Sequence, residues 1–187
     1  MEAVFKSFLL VAATEMGDKT QLLAFVLASR FKRPWAVMAG ILVATVLNHL
    51  LAALFGSWVA LALPPGALKW ILGLTFIGFA AWVLVPDKDE GLEESSRFGA
   101  FTTTLVAFFL AEMGDKTQLS TVALAATYHS VALVTLGTTL GMLLADGLAV
   151  AFGEKLAERI SMKWVRVLSA ALFMLFGVTV LLGFTGV

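Results

Sequence analysis

Apolar positions run along this chain in long blocks, without the one-sided periodicity of helices that face water. Crossing about 30 Å of hydrocarbon takes roughly 20 such residues. Six blocks qualify, at about 4–29, 35–62, 67–85, 99–127, 131–152 and 165–185. The breaks between them hold turn and interface chemistry. They are Arg30-Phe-Lys-Arg-Pro34, Pro64-Pro-Gly66, the acidic stretch Pro86–Arg97, Tyr128-His-Ser130 and the charged stretch Glu154–Lys163. Trp35, Trp58, Trp70, Trp82 and Trp164 fall near block ends, where an interfacial aromatic belt belongs. The pattern predicts an all-α integral membrane protein with six transmembrane helices. Lys6 followed by the apolar run from Phe8 imitates a signal peptide. The block continues through residue 28, however, and its arrangement recurs internally, so it reads as a mature membrane helix.

The polar positions inside the blocks repeat. Glu-Met-Gly-Asp-Lys-Thr occupies residues 15–20 and again 112–117, each copy followed by Gln-Leu. The 97-residue offset also pairs Leu27 with Leu124, Gly40 with Gly137, Leu47 with Leu144, and Phe55-Gly56 with Phe152-Gly153. A whole three-helix unit is therefore duplicated, as residues 1–97, ending in an acidic cytoplasmic linker at about 86–97, and residues 98–187. Three is odd, so the second unit enters the membrane inverted. Secondary transporters built this way place their sites near the midplane, at the repeat interface. Gly137 and Gly141, four apart, suit close helix approach.

Loop charge orients the chain. One side carries Lys6 and Lys69; the other carries Arg30, Lys32, Arg33, Lys88, Arg97, Lys155, Arg159, Lys163 and Arg166. The positive-inside rule puts the second group in the cytoplasm and both termini outside it. Glu154–Lys163, with Leu156 and Ile160 four apart, reads as a surface-lying turn of helix. Composition agrees with the membrane reading. The 187 residues are 60% hydrophobic and 14% charged, with a mean hydropathy of +0.94. Net charge is zero, which argues against a nucleic-acid partner, and the absence of cysteine excludes thiolate sites and disulfides.

Ionisable residues at mid-membrane each cost about 2.5–3.5 kcal/mol on insertion scales. Glu15, Asp18 and Lys19 together oppose insertion by roughly 8–10 kcal/mol, so the first span depends on its partners to stay in the bilayer. With the motif treated as continuous helix, Glu15 and Asp18 project about 60° apart and Gln21 continues along the Asp18 side. Lys19 flanks Glu15 four residues on, and Gly17, like Gly114, either leaves room for a neighbouring backbone or marks a helix break. Glu112, Asp115, Gln118 and Lys116 repeat the arrangement, with Thr20 and Thr117 in support. Two such helices crossing would pool four carboxylates and two lysines, a residual −2 that matches a divalent cation.

Carboxylate, amide and hydroxyl oxygens suit hard ions such as Mg²⁺, Ca²⁺ and Mn²⁺. Once the metal departs, desolvation and repulsion favour protonation, the physical basis of cation/proton exchange. The alternative is that Glu15–Lys19 and Glu112–Lys116 are i,i+4 ion pairs that ease insertion. Asn48 and His49 lie mid-span, and the offset pairs His49 with Asp146, a candidate for proton relay or gating. His49 reads as a satisfied packing residue. Thr102–Thr104 and Thr138–Thr139 are expected to bond their own helix backbone, and Met16 and Met113 to pack.

Two competing functions use the same residues. Met-Gly-Asp resembles part of the Gly-x-Gly-Asp motif of intramembrane aspartyl proteases, with Asp18 and Asp115 as the pair; Glu15 replaces the first glycine and no Pro-Ala-Leu follows. A six-helix exporter of amino acids or other small solutes shares the architecture. The doubled Glu-x-Gly-Asp-(Lys/Arg)-(Thr/Ser) motif, the three helices per half and the acidic central loop resemble one family. It comprises small divalent-cation transporters of Golgi, chloroplast and bacterial membranes, including bacterial manganese exporters. The resemblance spans essentially the whole chain. It implies a transporter and no enzyme, with Mn²⁺ (or Ca²⁺) as cargo exchanged for H⁺ and no cofactor. It also implies ion binding by Glu15, Asp18, Glu112 and Asp115, and a bacterial inner-membrane member exporting Mn²⁺ from the cytoplasm.

Overall fold

A computed structural model describes residues 1–85, 99–159 and 162–183. The described residues form eight α-helices and no strand: α1 (Glu2–Glu15), α2 (Lys19–Phe31), α3 (Pro34–Ala62), α4 (Pro65–Trp82), α5 (Ala100–Glu112), α6 (Lys116–Tyr128), α7 (Val131–Arg159) and α8 (Met162–Leu181). Local chemistry sets their ends. Pro34 and Pro65 open α3 and α4, where the missing N–H costs nothing. Lys32, with φ +52, closes α2 by donating its N–H to Ala28.

Two helices, Pro34–Ala62 and Val131–Phe152, are each long and apolar enough to cross a bilayer. The first and fourth predicted blocks are each two helices, α1 then α2 and α5 then α6. The charged stretch after residue 152 also departs from expectation. Residues 154–159 continue α7 as one helix instead of starting a separate surface-lying turn. The acidic linker, Pro86–Arg97, and Ile160 lie outside the described residues.

Polarity is distributed inside out. Leu51, Leu54, Phe55, Trp58, Leu61, Trp70, Leu110, Leu168 and Leu175 are exposed, whereas Glu15, Glu112, Asp115, Asp146, Asn48 and His49 are buried. In water that surface would aggregate; in lipid it is the favoured one. This is a membrane protein. All five tryptophans are exposed as well, as an aromatic belt requires.

Along α3 the interior changes twice. Val37, Ile41 and Ala44 join one apolar core, Thr45, Asn48 and His49 follow as a polar layer, and Ala53 and Ala60 join a second core. The second core is closed by α4 against α8. Phe76 meets Phe176 edge-on at 4.7 Å and stacks with Phe173 at 6.2 Å.

Close backbone approach holds α1 to α7. A Cβ at Gly137 would lie 2.5 Å from the Val4 carbonyl oxygen, and one at Gly141 2.7 Å from that of Phe8 and 2.8 Å from the Ala12 nitrogen. Gly40, the counterpart of Gly137, packs α3 just as tightly on α5, at 2.8 Å from the Phe101 carbonyl oxygen. Backbone cannot swing aside as a side chain does. Gly141→Ala is therefore expected to cost about 1–3 kcal/mol by overpacking, read as a lower melting temperature of the purified protein in detergent.

Candidate metal centre

Both motifs break their helices. α1 ends at Glu15. Met16 follows at φ −65, ψ 110, and Gly17 at φ +81; the Asp18 N–H then donates to the Glu15 carbonyl at 3.1 Å. Met113 (φ −65, ψ 118), Gly114 (φ +78) and the Asp115 N–H bond to the Glu112 carbonyl at 3.2 Å repeat the geometry. These are type II turns, whose third residue requires positive φ and hence glycine. Of the two roles open to them, Gly17 and Gly114 mark breaks, and the face geometry that assumes a continuous helix does not hold across them. Around the Cβ position of Gly114 there is open space, so there the glycine supplies φ and not close approach.

Each residue of the motif has a part in the turn. Asp18 and Asp115 hold extended backbone at the N-caps of α2 and α6. The buried Gln21 side chain accepts the Gly17 N–H at 2.8 Å and donates to the Ala145 carbonyl of α7 at 2.8 Å. Gln118 likewise accepts the Gly114 N–H at 2.7 Å. Sequence reasoning placed both glutamines as cation ligands; their amides also latch the turns.

The breaks bring the two halves together. One oxygen each from Glu15, Glu112 and Asp115 lie within 4.8 Å of one another, all three residues buried. Asp18, partly buried, stands outside this group. Glu15 is held by hydroxyls from both halves: Thr20 donates to one oxygen at 2.8 Å and Thr117 to the other. Glu112 is 1% exposed and neither of its oxygens has a hydrogen-bond partner; Asp115 Oδ2 also lacks one. The sequence repeat is therefore not matched by a symmetric arrangement of donors.

The lysines differ from the i,i+4 alternative. Lys19 Nζ lies 3.5 Å from Asp115 Oδ1, pairing across the halves and not along its own helix. Lys116 is buried with its ammonium 5.8 Å above the Trp82 ring. Asn48 donates to the Phe109 carbonyl at 3.1 Å, one turn before Glu112. His49 is fully buried, but both ring nitrogens lack partners, so it is not a satisfied packing residue. Asp146 is buried with both oxygens unpartnered.

Thr138 bonds its own helix at Val134, whereas Thr104 and Thr139 leave their hydroxyls unpartnered. Met113 is exposed and does not pack; Met16 sulfur accepts from Gln21 at 3.6 Å. One connection had no sequence signal. Ser169 of α8 donates to the Ala13 carbonyl at 2.7 Å, tying α8 to the last turn of α1.

A membrane-embedded helical assembly that buries three converging carboxylates around two helix breaks defines a cation transporter. The profile of the divalent cation/proton antiporter GDT1 matches residues 3–91 and 100–186, and the chain belongs to that family. Relatives include a Vibrio cholerae serotype O1 protein named "Putative manganese exporter", 45% identical over 94% of this chain and 88% of its own length. GDT1-like protein sll0615 of Synechocystis is 29% identical over 95% of this chain and 96% of its own length. GDT1-like protein 5 of Arabidopsis thaliana is 30% identical over 97% and 96% respectively. No solved structure matches the chain. Family membership makes the protein a transporter and sets aside both the protease and the organic-solute exporter.

Proposed function

We propose that this protein exports Mn²⁺ across a bacterial inner membrane in exchange for H⁺, with Ca²⁺ as a second cargo. The observation that carries the reading is the buried Glu15–Glu112–Asp115 group, assembled from both copies of the motif. Its donors are all oxygen, the ligand class that hard divalent ions take. The name of the Vibrio cholerae relative supports manganese. Asp18 joins the three as an outer carboxylate at the break, and Gln21 and Gln118 lend amide oxygens that remain able to accept. Thr20 and Thr117 orient Glu15. Lys19, paired with Asp115, limits the excess negative charge once the cation has gone.

The chain would cross the membrane six times as two inverted three-helix repeats, residues 1–97 and 98–187. The spans are α1 with α2, α3, α4, α5 with α6, α7 and α8. The family profile takes up the chain in two stretches, one in each half, which supports the repeat. Both termini would lie outside the cytoplasm on the loop-charge bias.

Exchange follows from burial. A carboxylate such as Glu112, without a donor in the protein, is tolerated in low dielectric only when a cation or proton neutralises it. Cation and protons therefore occupy the centre in turn.

The test is flux into proteoliposomes carrying the purified protein, with Mn²⁺, Ca²⁺ and Mg²⁺ in competition and internal pH recorded. Mn²⁺ movement coupled to opposite proton movement, competed by Ca²⁺, is expected. Mn²⁺ flux with no pH change would refute exchange, and no Mn²⁺ flux would refute the cargo.

A further inference from the structure

Asp146 belongs to neither motif. It sits in the interior of α7, fully buried, and neither carboxylate oxygen has a hydrogen-bond partner. A buried acid left in that condition is strongly destabilising as an anion, and a cation or a proton must neutralise it. Lys19 is engaged with Asp115, so its ammonium does not serve Asp146 in this arrangement.

Helix packing fixes its depth. α1 and α7 run side by side in register: Gly137 lies against Val4 and Ser7, and Gly141 against Phe8, Val11 and Ala12. Five residues further along both helices, Asp146 reaches the level of the turn that begins at Glu15. Gln21 pins the neighbouring residue there through the Ala145 carbonyl. Asp146 acts electrostatically on both Glu15 and Glu112, yet it stands outside the group whose oxygens lie within 4.8 Å. It flanks the centre without belonging to it.

The position is occupied by an acid on one side only. His49, 97 residues earlier, holds the corresponding place in α3, beside the Asn48 that bonds the turn of α5 before Glu112. A carboxylate at this place in α7 and an imidazole at the matching place in α3 make the two flanks unequal.

We propose that Asp146 is a further ligand for the transported divalent cation, supplied by α7, which holds the ion as it passes to or from Glu15, Glu112 and Asp115. The inference rests on the cation centre described above. An octahedral Mn²⁺ takes six oxygens, and Asp146, at the level of the breaks, adds an acidic one from α7 to those offered by the two motifs.

The test is equilibrium binding of Mn²⁺ alone to the purified full chain, comparing wild type, Asp146→Asn and Glu112→Gln. Asp146→Asn is expected to weaken binding by about tenfold or more, with elution and melting in metal-free buffer showing an intact fold. Wild-type affinity in folded Asp146→Asn overturns the proposal. If that variant does not fold, Asp146→Glu replaces it, with the charge kept and the oxygens displaced by one methylene. An altered ratio of Mn²⁺ to Ca²⁺ affinity supports ligation, and an unchanged ratio overturns it. Glu112→Gln separates the two claims. Unaffected binding there defeats the centre itself; lost binding there beside wild-type Asp146→Asn defeats only the role of Asp146.

Discussion

Glu112→Gln will cut transport severely and yet stabilise the metal-free protein at high pH. The carboxylate is buried to 1% exposure and neither oxygen accepts a hydrogen bond from the protein. At pH high enough to ionise the metal-free acid, removing its charge relieves a desolvation cost of about 1 kcal/mol or more. It also removes a charged ligand from the cation, and a loss of about two orders of magnitude in Mn²⁺ flux is expected. Glu15→Gln will lose transport as well, but without the gain in stability, because Glu15 is the acceptor for Thr20 and Thr117. Proteoliposome flux and melting temperatures in metal-free detergent measure the two effects separately. Flux retained in Glu112→Gln, or a lower melting point there than in Glu15→Gln, would contradict the assignment.

Gly114→Val is the second large effect. With φ at +78 and open space around the Cβ position, the substitution meets no neighbour and acts through the backbone alone. Left-handed conformation costs an L-residue roughly 1–2 kcal/mol, and a β-branched residue tolerates it worst. The turn then relaxes and carries Glu112 and Asp115 out of position. Flux is expected to fall by about tenfold or more, since displacements of about 1 Å can cost that much at a reacting centre. Gly114→Asn should be milder, because asparagine accepts positive φ at this turn position. Equal loss in both variants would mean that the turn does not set the ligands.

Much of this molecule was legible from the pattern of its residues. The two motifs, their equal spacing and their acidic content identified the carboxylates that converge, because intramembrane acids are costly wherever they lack a task. What periodicity missed was the break. At about 100° per residue Glu15 and Asp18 share a face, but that rule presumes unbroken hydrogen bonding through Gly17. The signal was present in Met-Gly-Asp: a glycine at the third turn position followed by an N-cap residue.

The cross-half contacts were beyond reach for a different reason. Lys19 pairs with Asp115, and Thr117 reaches Glu15; both depend on how two helix ends meet, which no spacing within one helix encodes. Identical motifs also implied equal surroundings for Glu15 and Glu112. One receives two hydroxyl donors and the other none, because both threonines turn toward the same acid.

The central claim is that acids from both repeats share one divalent ion. Crystals grown with Mn²⁺ and measured at the manganese absorption edge test it directly. A single anomalous peak in coordination distance of the carboxylates of Glu15, Glu112 and Asp115 is the predicted result. A peak bound by only one half of the chain, or lying away from both helix breaks, would contradict it.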